Sequence, residues 1–99
     1  MKGASCLLFH VTARHDVNHC GIYNEDIRLA LQEFLPSIQS RCEELGVKVH
    51  FVVAGHPDHV FYLLVEADDF TPVCTLLCEV PMKQEFDMKP VRALRFGRV

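Results

Sequence analysis

Two sets of side chains in this sequence have the means to do chemistry, and both are built around histidine. The first is His15-x3-His19 followed at once by Cys20, with Asp16 inside it, and much later the turn Gly55-His56-Pro57-Asp58-His59. Neutral imidazole and thiolate are ligands for zinc, copper, nickel or iron. The early stretch could supply two or three ligands, with His56 or His59 completing a set. Spacing alone does not define that site, because an H-x3-H pair presents both rings to one ion when a helix carries it, and this stretch lacks a helical period. Solvated loop histidines are the simpler reading, with Pro57 setting a turn that favours small polar neighbours.

The second set comes from strand parity. His10, His50, Tyr62 and Glu66 fall on one face of three extended runs, opposite the face that the helices would cover. A histidine there could move a proton near neutral pH. The competing structural reading is that each polar group satisfies a partner in a buried interface, since an unsatisfied buried polar group costs about 1–3 kcal/mol. Cys74 and Cys78, four apart on a helix, read as core residues, because nothing nearby is electropositive enough to activate a thiol. Asp68 and Asp69 stand where a helix begins and read as caps.

The elements that would position these residues are legible in turn. Cys6 to Thr12 is β-prone, with Leu7, Phe9 and Val11 on one face and Leu8, His10 and Thr12 on the other. Arg14 to Tyr23 shows no period and reads as a long loop. Asn24 can cap a helix with Glu25 and Asp26 in its first turn, and Ile27, Ala30, Leu31, Phe34, Leu35, Ile38, Cys42 and Leu45 keep helical spacing until Gly46 stops it. Pro36 lies inside that helix, and its missing amide predicts a kink near Phe34.

Val47 to Ala54 and Val60 to Ala67 form a hairpin. Strict alternation puts Val47, Val49, Phe51 and Val53 under the helices and leaves Val52, Val60 and Leu64, with Leu8, on the far face. Asp68 and Asp69 lead into a second helix with Pro72 in its first turn and Val73, Leu76 and Leu77 as its stripe. Its end, at Cys78 and Glu79, is expected to approach the hairpin rim. Phe86 to Leu94 reads as a final strand whose Pro90 requires an edge, and Arg95 to Val99 as a tail.

The order β-α-β-β-α-β with right-handed crossovers gives a four-stranded antiparallel sheet, strand order 4-1-3-2, with both helices on one face: an α+β, ferredoxin-like arrangement. In it the first loop and the hairpin turn emerge at the same end, so His15, His19, Cys20, His56 and His59 gather there. The far face is too apolar to be left in water, which implies that something covers it.

The element order, that apolar face, and the passage from the hairpin glycine through FYLLVEADD into a helix together resemble the dimeric α+β barrel superfamily, and more narrowly its small uncharacterised domains. The resemblance spans about residues 5 to 94. It implies a homodimer in which two sheets pack face to face, burying Leu8, Val52, Val60 and Leu64 against their mates. It carries over no catalytic residue.

Size and composition bound the rest. Ninety-nine residues make a single domain with a thin core. Apolar residues at 49% and charged ones at 23% place it among folded globular chains. Net charge is −3 and the ten Lys and Arg residues are scattered, so nucleic acid is not an expected partner. The apolar patch at the start is interrupted by Arg14 and His15, too short for a leader or a membrane span. Five cysteines, an odd set without zinc-ribbon spacing, suit reduced thiols and a cytoplasmic location.

The leading expectation is a homodimeric module that binds a small molecule or regulates through one, with His10, His50, Tyr62, Glu66, His56 and His59 as ligand-binding candidates and the cofactor unassigned. An alternative is a cofactor-independent oxygenase or isomerase, with His10 or His50 as base and Tyr62 orienting substrate. A third is a metal-binding protein using His15, His19, Cys20, His56 and His59.

Overall fold

Extended runs of seven or eight residues, rich in β-branched and aromatic residues, combine with helices in the computed structural model, which describes residues 7–55 and 58–94. The elements are β1 (Leu7–Arg14), a 3-10 turn (Val17–His19), α1 (Glu25–Phe34), a 3-10 turn (Leu35–Ser37), α2 (Ile38–Leu45), β2 (Lys48–Gly55), β3 (Val60–Ala67), α3 (Phe70–Glu79) and β4 (Glu85–Val91). The four strands form one antiparallel sheet in the order β2-β3-β1-β4, the expected order read from the other edge. The arrangement is compatible with a ferredoxin-like fold. Cys6, His56, Pro57 and the 95–99 tail lie outside the described residues. Among the described residues, no helix is long and apolar enough to cross a membrane.

Local chemistry sets the helix ends. Asn24 Oδ1 accepts the Ile27 amide at 3.1 Å and starts α1. Gly46 ends α2 in the left-handed region (φ 72°), and the Val47 amide reaches back to the Cys42 carbonyl at 2.9 Å. Pro36 interrupts the regular α-helix, so that two helices stand where one kinked helix was expected. It sits in one tightened 3-10 turn between α1 and α2, where Phe34, Leu35 and Ile38 all keep helical dihedrals, and the Ser37 hydroxyl donates to the Phe34 carbonyl at 2.8 Å. Asp69 caps α3, accepting the Phe70 amide at 2.7 Å. β4 pairs with β1 alone, and Pro90 stands opposite Phe9 on that edge strand.

The core lies under α2 and α3. Phe9, Val11, Val47, Val65, Ala67, Val73, Leu76 and Leu77 form it, with Ile38, Cys42, Leu45, Val49, Leu63 and Met88 packed around. Ten residues of helix span about 15 Å, whereas eight residues of strand span about 26 Å. α3 therefore covers only part of the sheet's length. Over the rest stands α1, none of whose residues is buried.

β2 corrects the expected alternation. Lys48 pairs with Glu66 and Val49 with Val65, but Phe51 pairs with Leu64, so the register shifts at His50. This is a β-bulge, and one extra residue exchanges the two faces of everything after it. Phe51 and Val53 consequently share the open face with Tyr62 and Leu64, while Val52 and Ala54 register with Leu63 and Phe61 on the helix side. Val52, expected on the open face, is not there. Val60 also departs from expectation, being buried within its own chain. Cys78, read as a core thiol, is exposed, and Cys74 is half-buried.

Candidate functional site

At the hairpin end of the sheet, two backbone segments converge. β1 finishes at Arg14, and the next residue ties back to the hairpin, the His15 amide donating to the His59 carbonyl at 3.2 Å. Asp16 then turns the chain: its carboxylate accepts the His19 amide at 3.1 Å and contacts His19 Nδ1 at 2.7 Å. The stretch read as aperiodic loop thus contains a capped 3-10 turn. That turn holds His19 on Asp16 and delivers Cys20 into the interior, 6% exposed. The Cys20 carbonyl accepts the Tyr23 and Asn24 amides at 3.0 and 2.8 Å, fixing the approach to α1. From the hairpin comes His59, held in the left-handed region at φ 56°.

His15, Cys20 and His59 meet at this point, each offering one ligand atom, all within 4.8 Å of one another. The His15 ring stacks on Phe61 (centroids 5.5 Å, 27°) and meets His59 edge-on (5.3 Å, 79°). Tyr23 lies beyond, 6.1 Å from the His59 ring. Both His15 ring nitrogens are shut off from solvent and have no hydrogen-bond partner among the described residues. Burial, and secondarily the His59 imidazole, push the His15 pKa below its ordinary value. The Asp16 carboxyl is likewise held below its usual value, first by its hydrogen bond from His19.

The cluster opens onto a cleft of about 460 Å³ between α1 and the helix-side face of the β2–β3 hairpin. Ile22, Tyr23, Leu31, Leu35, Phe61 and Met82 supply most of its apolar wall. The sequence reading missed this cleft. The available signal was the stripe Ile27-Leu31-Leu35, which continues up α1 above a strand carrying only Ala54 beneath it.

Other sequence-derived candidates lie elsewhere. His10 and Tyr62 are neighbours on the open face, with ring centroids 6.4 Å apart. His50, at the bulge, contacts Glu66 through Nε2 at 2.8 Å. The open face therefore carries two polar pairs. His59 belongs to the cleft, on the other side of the sheet, and His56 lies outside the described residues. Glu79 receives two hydrogen bonds from Arg41 on α2.

Comparison with known proteins finds no matching family model, no matching curated protein and no matching solved structure. The class that the fold defines is a small α+β protein with a four-stranded antiparallel sheet, helices on one face, and an apolar cleft with a histidine–cysteine end.

Proposed function

We propose that the protein is a small-molecule binding module, and that the cleft beneath α1 is where the molecule binds. The observation that carries this reading is a helix whose apolar stripe is left facing open space. Leu31 and Leu35 line the cleft and α1 has no buried residue, although burial of that stripe is what ordinarily stabilises an amphipathic helix. A volume of about 460 Å³ falls within the roughly 300–1,000 Å³ common for ligand pockets, which are mostly apolar with a few polar groups fixing orientation. Here those polar groups are His15, Tyr23, Arg28, Gln32 and His59. The occupant is an apolar molecule of modest size with a polar head.

The module acts as a homodimer of the dimeric α+β barrel type, in a reducing, cytoplasmic setting. Leu8, Phe51, Val53, Tyr62 and Leu64 share the open face by register, and Phe51 and Val53 are 43% and 52% exposed. A second copy laid on that face would remove them from water and enclose the His10–Tyr62 and His50–Glu66 pairs.

Titration with an apolar fluorophore, anilinonaphthalene sulfonate, tests the cleft. Saturable binding of one fluorophore per chain is expected in the parent protein and in Val53→Ser, which alters only the open face. Ala54→Trp, which fills the cleft from the sheet side, should abolish it while far-ultraviolet circular dichroism stays unchanged. Undiminished binding by Ala54→Trp would place the ligand site elsewhere.

A further inference from the structure

We propose that His15, Cys20 and His59 bind a single zinc(II) ion through one nitrogen, one sulfur and one nitrogen, with the fourth position of the metal open to the apolar cleft. The donor set suits a borderline-soft ion. Tetrahedral coordination with bonds of about 2.0–2.3 Å brings ligand atoms to about 3.3–3.6 Å from one another. The present separations, all within 4.8 Å, reach that by a contraction on the order of 1 Å, which small side-chain rotations supply.

Packing alone explains where the rings sit but not what their nitrogens do. Stacking on Phe61 and the edge contact with His59 account for the His15 ring plane. They give its two solvent-excluded nitrogens nothing to bond. Buried polar atoms in native proteins are nearly always satisfied, and a metal ion is the partner that an imidazole nitrogen beside a second imidazole and a buried thiol would take. Cys20 is free of any disulfide and almost inaccessible, which disposes it to bind a metal within the protein and not to react in solution. The backbone bond between the His15 amide and the His59 carbonyl couples two of the three ligands before any ion arrives. His19 is kept out by Asp16, so three protein ligands are presented among the described residues. Three protein ligands with one open position is the pattern of zinc sites that take an exogenous ligand.

Chelator-treated protein, prepared without a histidine tag, is titrated with cobalt(II) and then zinc(II). Expected are one cobalt per chain, the intense visible absorption of four-coordinate cobalt, and a thiolate-to-cobalt charge-transfer band that one equivalent of zinc removes. Cys20→Ala, a small change at a buried position, should lose the charge-transfer band. His15→Ala and His59→Ala should weaken binding by more than about tenfold, the loss that even an outer-sphere partner commonly brings. His19→Ala and Cys78→Ala should leave it intact. No cobalt band, a band surviving in folded Cys20→Ala, or a band lost in His19→Ala or Cys78→Ala would overturn the site, and binding of copper(I) with none of zinc would overturn the choice of ion. Fluorophore binding to metal-free chain reports on the cleft separately, so either result can fail without the other.

Discussion

Asn24 does two jobs with one side chain. Its Oδ1 accepts the Ile27 amide and caps α1, while its Nδ2 donates to the Asn18 carbonyl at 2.8 Å and so anchors the helix start to the turn that delivers Cys20. Asn24→Ala is expected to lower stability by about 1 kcal/mol, the usual loss for a removed cap, seen as a lower urea midpoint with the same slope. An unchanged midpoint would mean that neither bond matters to the fold. This cap was legible in the sequence, as was Gly46, because both depend on residues within one helical turn. The choice of His15 over His19 was not. It rests on Asp16 capping a three-residue turn that aims the two rings differently, and on His59 adopting a left-handed backbone that other residues of the hairpin must impose.

Among elements, the pairing of helices is tied by Arg41. Its guanidinium reaches Glu79 on α3 and Glu44 one turn further along α2. The hydrogen bonds from Arg41 hold the Glu79 carboxyl below its usual value, and the Arg41 pKa is raised in turn, first by Glu79 and then by Glu44. A carboxylate whose folded pKa is depressed contributes stability that is present above the ordinary glutamate range and is lost as pH falls through the folded value. Both side chains are a third exposed, so the contribution is small and salt-sensitive. Glu79→Gln should therefore unfold at slightly lower temperature than the parent at neutral pH, with the gap closing in acid. A gap that widened on acidification would exclude the pair as its source.

The β2 bulge belongs to the same scale. Val52 and Val53 are chemically alike, so alternation along the strand carries no mark of the register shift at His50; only pairing with β3 reveals it.

For the whole molecule, the consequence of that bulge is a different open face. If the proposed dimer forms through this face, Phe51→Glu or Leu64→Glu is expected to give monomers or insoluble protein in sedimentation or light scattering, because charge would be buried against the second sheet at high cost. Val52→Glu, directed to the helix side beside Leu63, should remain dimeric. A dimer lost only in Val52→Glu would move the interface away from the open face. The same scale explains the cleft: a helix of ten residues cannot roof a strand of eight, and the uncovered part falls at the end where the histidines gather.

Strand and helix order, the caps, the edge position of the Pro90 strand and the convergence of the first loop with the hairpin all follow from the chain itself. Each is decided by neighbours in sequence or by the few topologies that short, right-handed connections permit. Which face Phe51 and Val52 take, which histidines meet Cys20, and that α1 stands over empty space were settled only in three dimensions. They depend on ladder register, on the direction of a single turn and on the relative lengths of distant elements, and none of these leaves a periodic trace in the residues that obey it.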